Sequence, residues 1–335
     1  MNNLFLQVFR DRMMIEPGIA EQVYLPYLIS LQKKEAIEPL HPLKADYNIR
    51  LFDRQSFSLG ANQVWNVMDH APQGSIAVIP IIGEFLKYGT DCSYGANEIS
   101  SAIIKAGATP NVSAVVLQMD SGGGAENAVP AFIEVIKFVQ SKGKPVIAHG
   151  DVCASAAYYV ASFCDMIIAD NEISSAFGSI DAFISFADYK EQLKAAGVTI
   201  TQYYATQSDL KNAEHRALTE DNNATPLIEN LLVPWVDRFI KTVKVNRPGK
   251  IAEDSDVWRG KLIEGAAIVS SGLADRFGSL TEVYKLINVR LSSEISTYTH
   301  GCRSCVEISK VTKPWVSIVR FTGLRKVPDI FIKVR

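Results

Sequence analysis

The stretch Asp151-Val152-Cys153-Ala154-Ser155-Ala156-Ala157-Tyr158-Tyr159 decides the fold of this chain. It follows the apolar run Pro145-Val146-Ile147-Ala148, which is typical of a buried strand, and leads into Val160-Ala161-Ser162-Phe163, which is typical of a helix. Ser155 is therefore predicted at a strand-to-helix junction. Such a junction can present a hydroxyl beside backbone N–H groups, as a nucleophilic serine requires. Close helix packing is the alternative explanation for so many small residues.

Apolar strands alternate with helical stretches on both sides of this junction. Strands are predicted at 76–83, 114–119, 146–148 and 166–169, and helices at 96–106, 128–139 and 156–163. A later strand is predicted at 199–205, and later helices at 189–195, 219–246, 263–271 and 280–289. Strands that are almost wholly apolar, with helices between them, predict an α/β fold with a parallel sheet covered on both faces.

The composition of the chain limits the classes of protein to which it can belong. Of 335 residues, 47% are hydrophobic and 21% charged, and the net charge is −2, so no nucleic-acid partner is expected. No apolar run reaches the roughly 18 residues of a membrane span, and the start has no secretory pattern, so we expect no membrane anchor. Five scattered cysteines favour a reducing, cytoplasmic compartment. Only Cys302 and Cys305 are close in sequence. They could form half of a zinc site, but no second pair follows and only His300 is near, so neither a metal nor another cofactor is expected.

A glycine run follows the second predicted strand. Ser121-Gly122-Gly123-Gly124 allows close backbone approach, but no Lys-Ser/Thr pair follows it, which argues against a phosphate-binding loop. N–H groups at the start of the next helix could instead stabilise an oxyanion. A tight turn without a ligand is the alternative.

A nucleophilic serine also needs a base. The histidines are His41, His70, His149, His215 and His300, and none lies between positions 150 and 214. His149 is predicted at the end of the strand before Ser155. Lys211 is the other candidate, because a lysine that is desolvated favours its neutral form and can accept a proton. A surface lysine is the commoner explanation of any single lysine.

Five motifs in the same order make residues 74–286 resemble the signal peptide peptidase A family, including its phage protein C branch. They are Ser121-Gly122-Gly123-Gly124, Ala154-Ser155-Ala156-Ala157-Tyr158-Tyr159, Phe177-Gly178-Ser179-Ile180-Asp181, Lys211-Asn212 with Arg216-Ala217-Leu218-Thr219, and Trp258-Arg259-Gly260 with Ala266, Gly272-Leu273-Ala274-Asp275 and Gly278. The resemblance implies a ClpP/crotonase-like fold and a serine peptidase with a Ser-Lys dyad.

The resemblance also implies a role for each site residue. Ser155 would be the nucleophile, Lys211 the general base and Ser179 the residue that orients the lysine. The oxyanion hole would be formed by the N–H groups of Gly123, Gly124 and Ala156. The chain departs from the family where Ala156-Ala157 replaces Gly-Gly, Gly122 replaces proline and Asn212 replaces aspartate. An inactive relative is therefore an alternative.

The resemblance suggests a branch as well. Met14-Ile15-Glu16-Pro17 is similar to the opening of the phage branch. A capsid-maturation peptidase would act on unfolded or extended polypeptides, assemble into a homo-oligomeric ring, contact capsid or scaffold proteins, and work in the bacterial cytoplasm or within a procapsid. The alternatives are a signal-peptide-degrading peptidase, a non-catalytic capsid assembly or scaffold protein, and a crotonase-type acyl-CoA enzyme.

Three parts of the chain are predicted. Residues 1–70 would be an N-terminal arm that packs on a neighbour or on the core, and residues 71–290 the peptidase domain. Residues 291–335 would be a basic C-terminal extension, since they carry a charge of +5 and leave −7 for the rest.

Overall fold

The computed structural model describes residues 13–15, 49–53, 58–60, 67–90, 93–184, 190–195, 197, 199 and 201–289. The chain divides into two compact units, Met1–Val283 and Tyr284–Arg335. The account below concerns the first unit. The basic C-terminal extension predicted at 291–335 lies outside the described residues.

Strands and helices alternate through the first unit. The strands are β1 (Met13–Ile15), β2 (Arg50–Asp53), β3 (Ser58–Gly60), β4 (Ser75–Ile82), β5 (Val112–Ser121), β6 (Gly123–Ala125), β7 (Val146–Ala154), β8 (Met166–Ala169), β9 (Ala176–Gly178), β10 (Leu262–Glu264) and β11 (Arg276–Phe277). The α-helices are α1 (Ala96–Ala108), α2 (Val129–Ser141), α3 (Ala156–Ala161), α4 (Lys190–Ala195), α5 (Ala213–Asp221), α6 (Thr225–Leu227), α7 (Val233–Asn246) and α8 (Ala267–Ser270), and a π-helical turn covers Ile228–Leu232.

The central sheet has the strand order β10, β9, β7, β5, β4, β2, β3, with β8 beside β7 and β11 beside β8. The inner pairs β4–β5, β5–β7, β7–β8 and β7–β9 are parallel. The pairs β2–β4, β2–β3 and β9–β10 are antiparallel. The predicted α/β class with a largely parallel sheet is confirmed. Strands β2 and β3 belong to this sheet although they lie within the predicted N-terminal arm.

Apolar side chains cover both faces of the middle strands. Four consecutive residues of β4, Ile76 to Ile79, are completely buried, so both faces of that strand are in the core. Helix α1 packs against α2, β4 and β5, and α2 contacts β7. This explains why the middle strands are continuous apolar runs rather than alternating ones.

Strand β7 divides its pairing between two neighbours. Residues 147–150 pair with β8, and Val152, Cys153 and Ala154 pair with β9. The strand is longer than predicted, and it runs up to Ser155, where α3 begins. The first half of β7 therefore belongs to the core, and the second half carries the predicted nucleophile to the edge between β9 and the glycine run.

The prediction of a strand at 199–205 is wrong for the residues that the structure describes there. Residues 199 and 201–205 have no regular structure, and Tyr203 is 91% exposed. Its apolar and β-branched composition favoured a strand, but a strand also needs a neighbour. None of the described strands pairs with it.

Two of the predicted helices also differ from the structure. The single helix at 219–246 is divided because Asn222 adopts a left-handed conformation after α5, and prolines lie in the first turns of α6 and α7. The helix at 263–271 is shortened to α8, because residues 262–264 form β10, which pairs with β9. Gly265, at a φ of 59°, then turns the chain between β10 and α8. Among the described helices, none has both the length and the apolar character to cross a membrane.

Candidate active site

Ser155 stands alone between β7 and α3 in a strained backbone conformation. Its φ is 51° and its ψ is −119°, a region that residues other than glycine rarely adopt. The backbone is held there because the Ser155 N–H donates a 2.8 Å hydrogen bond to the carbonyl of Gly178. The residue is completely buried, and its Oγ has no hydrogen-bond partner. A strained serine at a strand-to-helix turn is the geometry by which many hydrolases present a nucleophile.

Ser179 lies beside Ser155 in the structure. Ala154 pairs with Gly178 in the parallel ladder of β7 and β9, so the two serines follow the ends of neighbouring strands, which lie about 4.8 Å apart. Ser179 is buried and also has a positive φ, of 50°. Gly178 cannot carry a side chain, because a Cβ atom would lie 2.7 Å from the carbonyl oxygen of Lys261. The structure thus brings together two of the three predicted catalytic residues.

The glycine run lies on the other side of Ser155 from Ser179, because Ser121 pairs with Cys153 on the edge of β7 opposite β9. Helix α3 contacts β6, which contains Gly123 and Gly124. The Ser121 hydroxyl accepts a 3.1 Å hydrogen bond from the Gly123 N–H and donates a 2.5 Å bond to the Gly83 carbonyl. A Cβ atom on Gly124 would lie 2.3 Å from the backbone oxygen of Phe85, so only glycine fits there. This packing fixes the run close to the start of α3.

Backbone N–H groups are the oxyanion donors that this arrangement offers. The Gly123 N–H is already bonded to Ser121, which leaves Gly124 and Ala156 of the three predicted residues. Ala156 is the first residue of α3, where N–H groups have no acceptor within the helix. Both Ala156 and Ala157 are completely buried, so the site accommodates the methyl groups that replace the family's glycines.

Lys211 is exposed, whereas the two serines are buried. It lies on a turn that precedes α5, and its backbone N–H bonds to the carbonyl of Ser208. Since the Ser155 Oγ has no hydrogen-bond partner, the two side chains form no dyad in the single chain. The assignment of Lys211 as general base stays a prediction.

His149 does not lie at a strand end. It is in the middle of β7, six residues before Ser155, which corresponds to about 20 Å along a strand. Its Nε2 donates to the Gly278 carbonyl at 2.9 Å and lies 3.3 Å from Asp170 Oδ1, while its buried Nδ1 has no partner. Burial lowers the pKa of His149 despite these contacts. The residue is a core histidine, too far away to serve Ser155.

A buried polar cluster behind α3 was missed by sequence reasoning. The Tyr158 hydroxyl donates to the Leu273 carbonyl at 3.0 Å. Arg247 donates to the Gly272 carbonyl at 2.9 Å and to both carboxylate oxygens of Asp275 at 2.8 and 2.9 Å. The motif Gly272-Leu273-Ala274-Asp275 was recognised, but its partner Arg247 is an isolated arginine at the end of α7 and gave no signal.

The pairing of Asp275 with Arg247 sets the pKa of the carboxylate in that cluster. Burial alone would raise the pKa of Asp275, but hydrogen bonds from Arg247 and from the Ile167 N–H outweigh it, and the pKa is lowered. Because Tyr158 belongs to α3, the cluster fixes the helix that follows Ser155. These residues support the site without being placed to contact a substrate.

No metal site is visible in the part of the chain that the structure describes. No group of three or more histidine, cysteine or acidic side chains there could hold a metal ion. Cys302 and Cys305 lie outside the described residues.

Comparison with known proteins agrees with the motifs. Residues 138–292, which include Ser155, Ser179 and Lys211, match Peptidase family S49. The predicted resemblance to the signal peptide peptidase A family is thereby confirmed.

The chain is also similar to proteases from several organisms. The chain is 26% identical over 237 residues to Protease 4 of Haemophilus influenzae, covering 67% of this chain and 37% of that protein. It is 26% identical over 189 residues to the chloroplastic serine protease SPPA of Arabidopsis thaliana, covering 55% of this chain and 27% of that protein. The chain therefore spans about a third of the length of these relatives.

One solved structure is also similar, at a low level. It is a mutant of the 1510-N membrane-bound stomatin-specific protease, with 15% identity and a TM-score of 0.36, covering 64% of this chain and 84% of that one.

Proposed function

We propose that this protein is a serine endopeptidase in which Ser155 is the nucleophile and Lys211 the general base. The observation that carries the proposal is the conformation of Ser155, strained at the start of α3, with Ser179 on one side and the glycine run on the other. Strain of this kind persists only where surrounding structure enforces it, and it clusters at functional sites. The match of residues 138–292 to Peptidase family S49 supports the same activity.

The proposed reaction is acyl transfer to Ser155. Its Oγ attacks the carbonyl carbon of a peptide bond while the neutral amine of Lys211 takes the hydroxyl proton. The N–H groups of Gly124 and Ala156 stabilise the oxyanion, and the proton on the lysine passes to the leaving amine. Water then attacks the acyl-enzyme while the lysine accepts its proton, and the lysine returns that proton to the Ser155 Oγ as the ester bond breaks. Substrates are unfolded or extended polypeptides, because the attacked bond must lie flat along the glycine run.

We place Lys211 in the site through assembly of a homo-oligomer. In the single chain, α5 buries none of its residues, and the segment before it exposes Tyr203 (91%) and Leu210 (80%). Large apolar side chains exposed together are typical of a surface that packs against a partner. Docking of this segment on a neighbouring subunit would desolvate Lys211 and carry it to a serine.

Labelling and turnover test the two catalytic residues. Wild-type protein, Ser155→Ala and Lys211→Ala are incubated with a fluorophosphonate probe and with unfolded casein. We expect labelling and turnover only in the wild type, since a missing nucleophile or base typically costs a factor on the order of a thousand or more. Ser162→Ala, at the other end of α3, and Lys241→Ala, on α7, are the matched controls and retain activity. Labelling that survives Ser155→Ala refutes the nucleophile, and full turnover by Lys211→Ala refutes the base.

Mixing the two inactive variants tests the role of assembly. If Lys211 acts on Ser155 of a neighbour, mixed oligomers of Ser155→Ala and Lys211→Ala subunits contain some complete sites and regain part of the activity. If the lysine acts within its own chain, the mixture stays inactive. Mass photometry of each sample shows whether oligomers form at all.

For the biological setting, we propose a capsid-maturation peptidase that acts as a ring in the bacterial cytoplasm or within a procapsid. The support is the similarity of Met14-Ile15-Glu16-Pro17 to the opening of the phage branch. Cleavage of co-expressed capsid or scaffold proteins, set against cleavage of signal-peptide fragments, distinguishes this setting from the signal-peptide-degrading alternative.

A further inference from the structure

A short segment near the start of the chain lies on the glycine run. Residues 13–15 form β1, which pairs antiparallel with β6 in the register Met13 with Ala125, Met14 with Gly124 and Ile15 with Gly123. Strand β6 is also the strand that contacts α3, the helix that Ser155 opens. The segment therefore occupies the edge of the glycine run beside the nucleophile.

The hydrogen bonds of β6 show which atoms the segment uses. On one edge, the Gly123 carbonyl accepts from the Phe85 N–H at 2.8 Å, and the Ala125 N–H donates to the Phe85 carbonyl at 2.7 Å. Because successive residues of a strand direct their N–H and C=O groups to opposite edges, those of Gly124 face β1. Met14 and Gly124 are thus the hydrogen-bonded pair of this short ladder. The Gly124 N–H, which faces Met14, is one of the two N–H groups that remain as donors to an oxyanion.

An extended peptide that adds to a strand edge is a common way of binding polypeptides. A substrate would need this same edge, next to Ser155, for its backbone. In the structure the edge is occupied by the protein's own chain, and Ser155 is completely buried. The nucleophile and one oxyanion donor are therefore both inaccessible to a substrate in this state.

We infer that residues 13–15 are a tethered inhibitory strand, which occupies the place of the substrate backbone and lowers the activity of the peptidase until it is displaced. This inference rests on the proposed peptidase function. A tethered strand needs few contacts, because attachment to the same chain gives it a high effective concentration at the site. A substrate, or an interaction that captures the N-terminal segment, would open the site by displacing the strand.

A proline substitution in the full-length protein tests the inhibition. Met14→Pro removes the N–H that faces Gly124, whereas Ile15→Pro, the matched control, removes an N–H that faces away from β6. We expect Met14→Pro to raise the Ser155-dependent rate of fluorophosphonate labelling by about tenfold, the factor that the loss of one or two hydrogen bonds produces. Ile15→Pro is expected to change the rate far less. Equal rates in the wild type and in both variants would overturn the inference.

A reversible cross-link tests the register directly, and it does not depend on how the proline variant folds. Met13 and Ala125 are a non-hydrogen-bonded pair, with Cα atoms about 4.5 Å apart, which a disulfide can span. The double variant Met13→Cys/Ala125→Cys is oxidised and compared with each single variant, because the chain has cysteines of its own. We expect a disulfide that abolishes labelling and casein turnover, and full recovery on reduction.

The outcomes separate this inference from the function on which it rests. Failure to form the disulfide, or a disulfide that leaves Ser155-dependent activity unchanged, overturns the tethered strand and leaves the peptidase intact. The absence of Ser155-dependent labelling and turnover from the wild type, from Met14→Pro and from the reduced double variant overturns the peptidase and the inhibition with it.

Discussion

The regions that carry Ser155 and Lys211 differ in how the rest of the chain holds them. Every residue of α3 is buried, and the conformation of Ser155 is fixed by a hydrogen bond to β9. Helix α5 buries no residue, and Leu210 beside Lys211 is 80% exposed. The core of one chain therefore positions the proposed nucleophile and oxyanion donors, but it does not position the proposed base. Substitutions that unfold the protein should fall in the first region, and substitutions that affect assembly should fall in the second.

The largest effect on stability is expected behind α3. Asp275→Ala leaves Arg247 as an unpaired buried charge, which typically costs about 3 to 5 kcal/mol in the free energy of unfolding. Asp256→Ala, which breaks exposed pairs with Arg259 and Lys261, is the control and should cost at most roughly 1 kcal/mol. Urea unfolding measures both. If the two variants lost similar free energies of unfolding, the buried cluster would not stabilise the region that carries Ser155.

A smaller loss is expected from the tyrosine of the same cluster. Tyr158→Phe removes the donor to the Leu273 carbonyl and should cost about 1 to 2 kcal/mol, since both groups are buried. Tyr159→Phe removes only a partly buried bond to Thr242 and should cost less. The thermal unfolding midpoints of the two variants show which has lost more stability. The reverse order would mean that the neighbouring ring packing, rather than this hydrogen bond, fixes α3.

Ser155→Ala should abolish activity and yet stabilise the protein. The hydroxyl is buried without a partner, and removing such a group typically recovers about 1 kcal/mol. Thermal unfolding of the variant checks this against the wild type. A clear loss of stability would show that the hydroxyl has a structural partner, and it would weaken the interpretation of the inactive variant as a missing nucleophile.

The stability of the nucleophile region should also depend on pH through His149. Its pKa is lowered by burial from an ordinary value of 6.5, so the unfolded chain binds a proton more readily than the folded one. Stability therefore falls as the pH drops below about 6.5 and levels off below the folded pKa. His149→Gln, which keeps a donor for the Gly278 carbonyl, should remove this dependence. Urea midpoints measured on both sides of pH 6.5 give this dependence. If the midpoint of His149→Gln changed with pH as much as that of the wild type, His149 would not be its source.

The smallest effect on stability is expected in the lysine region. Leu210→Asp changes an exposed side chain, so the free energy of unfolding of the separated subunit should change by no more than about 0.5 kcal/mol. Its effect should appear in assembly instead, as a shift to smaller species in mass photometry and a loss of turnover. An active variant with unchanged assembly would place the subunit contact elsewhere.

Sequence reasoning succeeded where local pattern and core burial agree. The apolar runs of β4, β5, β7 and β8 each predicted a strand, because strands buried on both faces need apolar side chains at successive positions. It failed at 199–205, where the composition suits a strand but no neighbour is available among the described strands. It also missed β6 and β9, since three residues that contain glycine carry almost no periodic signal.

The sequence by itself determined the α/β class, the order of the motifs and the identity of Ser155, because these depend on local spacing along the chain. Only the tertiary structure decided that Ser179 lies beside Ser155, that Arg247 pairs with Asp275, and that residues 13–15 cover the glycine run. These contacts join residues far apart in the chain, through strand register and buried charge, and no local pattern encodes them.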